Sequence, residues 1–359
     1  MSADFEKEIA CKECGANLKF KPGSLSLACG YCGTENEIAS EETAIPAEVQ
    51  ENDLEHALTH FEEEETMEVQ IAKCNTCGAE ATVDAHVSSS SCPFCDTPLI
   101  VSENSAKQIH RPQYLLPFGI EGKTAISNFD TWIGKLWWAP SKLKSYASAD
   151  KVDGIYIPFW TYDCDTATKY EGERGDQYTT TTTNSDGETE TETQTNWSRV
   201  SGRVREFFDD ILISASTSLK KKKLRELEPW DLENLVHFDN KYLAGFQTEN
   251  YQISLKDGYE EAKKIMETKI RTKIERDIGG DEQRIDRMDT QYFDSKFKHI
   301  LLPVWISAYQ YNDKIYQFMV NARTGEVQGE RPYSTAKIVS AIVFWTTLIG
   351  GVIYYFATK

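Results

Sequence analysis

The sequence predicts an α+β, multidomain chain that ends in one apolar helix. Three observations carry this: a cysteine frame that occurs twice near the N-terminus, proline-centred apolar phrases that recur through the middle, and twenty uncharged residues near the C-terminus. The chain has 359 residues, enough for two or three domains with a real core.

The first frame is Cys11-x2-Cys14, fourteen residues, then Cys29-x2-Cys32; the second is Cys74-x2-Cys77, fourteen residues, then Cys92-x2-Cys95. The spacing is identical and the offset is 63 positions, an internal repeat of the ligand frame. Two cysteines three apart sit on one tight turn, so both thiolates can face one ion, and four thiolates complete the tetrahedron that Zn²⁺ prefers. Gly15, Gly33 and Gly78 follow the second cysteine of three turns, where positive φ brings backbone N–H groups toward sulfur; Asp96 holds the fourth place. Leu18–Phe20 and Leu25–Leu27 around Lys21-Pro22-Gly23 read as a hairpin, as do Ala81–Val83 and Val87–Ser89. The expectation is two β zinc ribbons, 5–38 and 71–102, each holding one structural zinc ion. Four cysteine ligands leave no position for water, which points away from catalysis.

Of the nine cysteines only Cys164 lies outside these pairs, and its strand-like setting reads as buried. Met1 to Ala10 is polar and lacks the apolar core of a signal peptide, so the ribbons are expected in a reducing cytosol. A net charge of −18 is poor for gripping phosphates, and neither ribbon shows a cationic surplus. Protein partners are therefore preferred over nucleic acid, which stays as the alternative.

Between the ribbons, 39–70 reads as an acidic connector: from Glu41 to Glu68 there are eleven acidic residues and no Lys or Arg. Asp53 is placed to cap a short helix through Leu54, Ala57, Leu58 and Phe61, with His56 and His60 one turn apart on a solvated face.

The middle domain, 111–335, is expected to be β-rich α+β. Leu115–Phe118, Tyr156–Trp160 and Leu301–Trp305 each carry a proline inside an apolar run, which predicts edge strands or bulges. The last two read as equivalent strands of two related modules. Ile126, Phe129, Trp132, Ile133, Leu136 and Trp137 make one amphipathic helix ended by Pro140; Ala262, Ile265, Met266, Ile270 and Ile274 make another, stopped by Gly279-Gly280. The threonine-rich run from Thr179, with Asp186-Gly187 at its turn and alternating Thr and Glu from Glu188 to Thr195, is a solvated hairpin. Tyr309 to Tyr316 is a second hairpin, and Lys220–Lys223 is the one strong basic run.

Gly119-x2-Gly122-Lys123-Thr124 lacks the first glycine of a phosphate-binding loop, since Pro117 stands there; Phe207–Asp210 alone is no nucleotide signature. No nucleophile elbow or metalloprotease helix is present, so no catalytic residue is assigned and neither an enzyme nor a small-molecule substrate is expected. Ile338 to Ala357 spans about 30 Å as a helix, the thickness of a bilayer core, with Lys337 and Lys359 at its flanks. It is read as a single transmembrane helix, 338–357, leaving the rest in the cytosol.

The paired CxxC frames, together with LPFGI, WWAPSKLK, GIYIPFWTYD, YEGERGDQY, EPWDLENL, YLAGFQTENY, DIGGDEQRI, FKHILLPVW and VNARTGEVQGERP, resemble one family along nearly the whole chain. It is the bacterial TFIIB-type zinc-ribbon-containing membrane proteins, often labelled primosomal or helicase-like. The resemblance implies association with membrane-stress systems that contain phage-shock/ESCRT-III-like and SPFH-domain proteins. It implies no catalytic residue, and carries over only the eight paired cysteines as metal ligands. The sequence thus points to a membrane-tethered zinc-ribbon adaptor, with replication- or transcription-linked nucleic-acid binding as the alternative.

Overall fold

The computed structural model describes residues 9–38, 49–60, 66–83, 89–95, 97–100, 106–140, 152–183, 189–311 and 314–358. Asp96, the acidic run 62–65 and the Asp186-Gly187 turn lie outside them. The first ribbon is a three-stranded antiparallel sheet of β1 (Leu18–Phe20), β2 (Ser26–Cys29) and β3 (Glu35–Glu37). Leu18, Phe20 and Leu27 point inward while Lys19 faces out, the period-two alternation of a one-faced strand. The third strand was not read from the sequence, because Glu35-Asn36-Glu37 has no apolar alternation to mark it.

Next come β4 (Asn52–Asp53) and α1 (Leu54–Thr59), capped as expected: the His56 N–H donates to Asp53 Oδ1 at 2.7 Å. Then follow β5 (Thr66–Lys73), β6 (Glu80–Val83), β7 (Ser89–Ser91), β8 (Pro98–Ile100), β9 (Ala106–His110), β10 (Tyr114–Leu115) and α2 (Gly122–Gly134). After these lie β11 (Asp153–Thr183), β12 (Thr189–Ser214), α3 (Lys221–Arg225), β13 (Val236–His237), β14 (Gln247–Glu249) and α4 (Leu255–Ile278). The remaining elements are β15 (Glu282–Tyr311), β16 (Lys314–Asn321), β17 (Val327–Gly329) and α5 (Thr335–Ala357).

One twelve-stranded mixed sheet organises the body, in the order β13-β10-β15-β11-β14-β6-β5-β9, with β12 also on β11, β16 and β4 on β15, and β17 on β16. The hairpin expected from Ala81–Val83 and Val87–Ser89 does not form as such: β6 joins this sheet, pairing with β5 and with β14 through Thr82↔Thr248 and Ala81↔Glu249, while β7 pairs with β8 in a separate two-stranded sheet. β5 begins at Thr66, inside the stretch read as connector.

β11 and β15 pair antiparallel from Asp153↔Ile306 to Gly175↔Glu282. β11 has 31 residues, a length of about 100 Å when extended. α4 covers one face of this pair with Tyr259, Ala262, Met266, Ile270, Ile274 and Ile278, a helical stripe buried against Tyr162, Tyr170 and Phe297. Past the end of β15, β11 and β12 continue as a two-stranded ribbon to Thr183↔Thr189. Cys164 is fully buried between this sheet and α4, 3.3 Å from Ser295 Oγ.

The prolines correct the edge-strand expectation. Pro158 and Pro303 lie in the two central strands, where Pro158 faces Leu301 and Pro303 faces Tyr156. Each sits where the neighbour on the opposite flank changes. β11 pairs parallel with β14 at Ile155 and Tyr156, then antiparallel with β12 from Phe159; β15 pairs parallel with β10 at Ile300 and Leu301, then antiparallel with β16 from Val304. The missing N–H falls in the gap between partners, so no ladder bond is lost.

The contacts at these two points match. Ala215 N–H donates to Pro158 O at 2.9 Å, and Ala322 N–H to Pro303 O at 3.1 Å. Ala215 O accepts from Gln252 and Ile253 N–H; Ala322 O accepts from Gly119 and Ile120 N–H. Trp160 Nε1–H donates to Ile253 O at 3.0 Å, and Trp305 Nε1–H to Ile120 O at 2.9 Å. A helix then begins two residues after each accepting isoleucine, α4 at Leu255 and α2 at Gly122.

α5 projects from this body with no buried residue. It has 23 residues, with an 18-residue stretch of mean hydropathy 1.8, and is the one helix among the described residues long and apolar enough to cross a membrane. The basic run, by contrast, is largely satisfied: Lys220 pairs with Glu330 at 2.5 Å, Lys221 with Glu261 and Lys223 with Glu226 at 2.6 Å.

Trp160→Phe and Trp305→Phe each replace the indole by a smaller ring and delete one indole hydrogen bond. Each variant should lose about 1–3 kcal/mol from the lost bond and the lost ring volume, and the two losses should be similar, as shifts of the denaturant midpoint followed by circular dichroism. A large loss in one and none in the other would show that the two contact sets are not equivalent.

Candidate metal centres

Four tight turns build the two cysteine sites. The N–H of the first cysteine of each turn bonds five residues ahead: Cys11 to Ala16 O, Cys29 to Thr34 O, Cys74 to Ala79 O and Cys92 to Thr97 O, all at 2.8–3.0 Å. Gly15, Gly33 and Gly78 close the turns on Cys11, Cys29 and Cys74 with φ of 75°, 75° and 78°. This is the left-handed conformation anticipated for these glycines, and an L side chain there would be strained.

In each site the four sulfurs lie within 4.8 Å of one another. Cys11–Cys32 and Cys14–Cys29 are 3.6 and 3.5 Å apart; Cys74–Cys95 and Cys77–Cys92 are 3.5 and 3.6 Å apart. Sulfurs 2.3 Å from a central ion stand about 3.8 Å apart in a tetrahedron, whereas a disulfide needs about 2.05 Å. The spacing fits a metal ion and excludes S–S bonds; all nine cysteines are free. The eight cysteines singled out in the sequence are thus gathered in two groups of four, each able to hold one metal ion.

The electrostatics point the same way. The hydroxyl and then the backbone N–H of Thr34 lower Cys32 to about 6, while burial above all raises Cys77 to about 11. Crowded thiols cannot all ionise without a cation among them, so a metal ion is what would make four thiolates compatible. Thr97 stands beside Cys95 at 3.3 Å just as Thr34 stands beside Cys32 at 3.2 Å. This hydroxyl two residues beyond the last ligand was missed in the sequence, although the Cys-x-Thr spacing was visible in both frames.

Both ribbons are docked on the body. Phe20 N–H donates to Ala244 O at 2.9 Å, Gly23 N–H to Phe118 O at 2.8 Å, and the Phe20 ring meets Tyr242 edge-on at 5.4 Å. In the second ribbon Phe94 is fully buried among Leu116, Leu302 and Met319, and Gln317 Nε2–H donates to its carbonyl. The outer knuckles stay exposed, and Tyr31 between Cys29 and Cys32 is 87 % exposed.

A third acidic group, Glu51, Asp163 and Asp209, has ligand-like spacing, but two of its members, Glu51 and Asp163, already hold a cation. Lys298 Nζ lies 3.1 Å from Glu51 and from Asp163, and 2.7 Å from Asp210. Burial pulls the ammonium down, but Asp210 and Asp163 outweigh it and hold Lys298 above its ordinary range. Burial raises Asp163 to about 7. Phe207–Asp210 thus contributes to a structural ion network. The Gly119–Thr124 segment makes no phosphate cradle, since the Gly119 and Ile120 N–H groups are spent on Ala322 O and the Thr124 N–H on Glu121 O. His56 and His60 stack at 4.7 Å on α1.

In sequence the chain is 26 % identical over 352 residues to a protein described as "Uncharacterized protein YdjG" from Bacillus subtilis (strain 168), covering 95 % of this chain and 93 % of that protein. No family model matches the chain, and no solved structure matches it.

Reduced protein purified without chelator should carry two metal ions per chain by mass spectrometry of the metals, and one after Cys74→Ser with Cys77→Ser. Because β5 and β6 belong to the main sheet, that double variant should lower the thermal transition of the body more than Cys11→Ser with Cys14→Ser does. Near-zero metal in folded, reduced protein would end the assignment.

Proposed function

We propose that this protein is a membrane-anchored zinc-ribbon adaptor that recruits protein partners at the cytosolic membrane face. The observation that carries the reading is the pairing of two all-cysteine sites docked on one body with a helix that buries nothing. Four soft thiolates in tetrahedral array suit zinc above the harder divalent ions. With every position filled by sulfur, the ion's work is folding: ribbons this small cannot bury a sufficient core, and structural zinc contributes on the order of 10 kcal/mol.

α5 supports the anchor. Phe344, Trp345, Ile349, Val352 and Tyr354 all stand more than half exposed or nearly so, a surface that water would disfavour around the whole helix. Its 23 residues span about 34 Å, which matches a bilayer core. Thiolate sites need a reducing compartment, which supports a cytosolic body.

The matching contact sets at Pro158 and Pro303 support the reading of an internal duplication: each unit runs strand, helix, proline strand, return strand, and the two units exchange their first strands. Such an intertwined body is a stiff platform, suited to presenting the ribbons rather than to turnover. Tyr31 is the best-placed contact for a partner, as an exposed aromatic on a metal-rigidified turn. The family resemblance makes SPFH-domain and phage-shock/ESCRT-III-like proteins the first partners to test. A net charge of −18 favours protein over nucleic acid.

The test is affinity capture of the full-length chain from detergent-solubilised membranes. Specific proteins should co-purify, and Tyr31→Ala should reduce their recovery roughly tenfold or more while metal content stays unchanged. Recovery of nucleic acid that falls steeply with salt, and of no protein, would replace the adaptor reading with the nucleic-acid one.

A further inference from the structure

We propose that Trp137, Trp138 and Tyr333 form an aromatic foot that seats the body on the lipid headgroup layer where α5 enters the membrane. This rests on the reading of α5 as a membrane-spanning helix and adds what that reading leaves open: how the body stands on the bilayer.

The foot is fixed to the base of the helix. Ser334, the N-cap of α5, donates its N–H to Trp138 O at 2.8 Å. Lys337 Nζ donates to Trp137 O at 3.1 Å and to Ala139 O at 2.8 Å. The uncharged run starts at Ile338, one residue on. The Trp137–Ala139 backbone therefore lies about one helical turn, some 5 Å, from the start of the apolar surface.

The core does not claim these side chains. α2 turns Ala125, Phe129 and Ile133 inward, with Phe129 stacked on Phe318 at 3.6 Å. That amphipathic face is used up before the helix ends. Trp137 is left 76 % exposed, Trp138 40 % and Tyr333 59 %. The sequence reading placed Trp137 on the same stripe as Phe129; the structure separates it, because the helix ends at Gly134 and the chain turns outward.

Indole and phenol rings are the side chains that favour the boundary between headgroups and acyl chains, having an apolar body and one polar hydrogen. Cations belong at the same level, and Arg331 lies over the Tyr333 ring at 5.5 Å. At the foot of a spanning helix the surface these rings face is the bilayer itself. Two contacts, one helix and one aromatic foot, hold an orientation that a single flexible tether would not.

Trp345, in the middle of α5, gives a built-in control. The full-length chain is reconstituted into vesicles of phosphatidylcholine and phosphatidylglycerol whose acyl chains carry bromine either near the headgroup or deep. Deep bromine should quench Trp345 in the native chain. Trp345→Phe leaves seven of the eight tryptophans, and shallow bromine should then remove the emission of two of those seven, roughly three-tenths of the total. Adding Trp137→Phe and Trp138→Phe should abolish that loss, with metal content as the check on folding. Shallow quenching that is absent, or that survives the double substitution, overturns the foot while deep quenching of Trp345 keeps the anchor. If bromine at neither depth quenches Trp345, the anchor fails and the foot falls with it.

Discussion

The antiparallel pairing of β11 with β15 is the constraint on which the rest of the body depends. The registered pairs from Asp153↔Ile306 to Gly175↔Glu282 bring together residues more than a hundred positions apart. Both outer flanks of this pair then become docking edges, and every other strand of the sheet attaches directly or through a neighbour. The cost is a long closure before any contact is made. It is offset by burying Trp160, Tyr162, Tyr156, Leu302 and Phe297 at or near full depth, and by the α4 stripe packed against Trp160, Tyr162 and Phe297. Pro158 and Pro303 fit this centre only because each flank changes partner beside them. They also stop β14 and β10 from extending along the strands that β12 and β16 must occupy.

The metal sites obey a different physics. Their geometry is local, set by turns that the glycines permit, and their cohesion is electrostatic. A free quartet splits into low and high thiols, as Cys74, lowered to about 7, and Cys77, raised to about 11, show in the second site, while a bound ion makes all four equivalent acceptors. The two sites are not embedded alike. The first ribbon touches the body through backbone bonds at Phe20 and Gly23, whereas the second contributes β5 and β6 to the main sheet and keeps β7 and β8 as a separate pair. Loss of the second ion therefore reaches further into the fold.

This division explains what was legible in the sequence. The cysteine quartets, the α1 cap at Asp53, the amphipathic faces of α2 and α4 and the apolar α5 are written in local spacing, and reading them needs only turn chemistry and helical period. The recurrence of Tyr156–Trp160 and Leu301–Trp305 was also visible. Their central placement was not, because a proline's tolerance depends on which neighbour stands beside it. The Lys298 network was hidden for the same reason: Glu51, Asp163 and Asp210 meet only after four distant segments converge. β3 escaped because its residues lack any apolar signal, and the merging of the second ribbon with the sheet is a pairing choice that no single segment records.

The ends of the molecule are joined by the same economy of contacts. α2 begins at the Ala322–Ile120 node and ends at the base of α5, where Ser334 and Lys337 hold the carbonyls of Trp137, Trp138 and Ala139. Ala322 also caps the β16–β15 pair, and Gly119, its other partner, lies against Gly23 of the first ribbon. A continuous path of hydrogen bonds thus runs from the first ribbon, through the α2 segment, to the apolar helix. A partner held at the ribbon would be held at a defined height and angle relative to α5, with no long linker in between to average that geometry away.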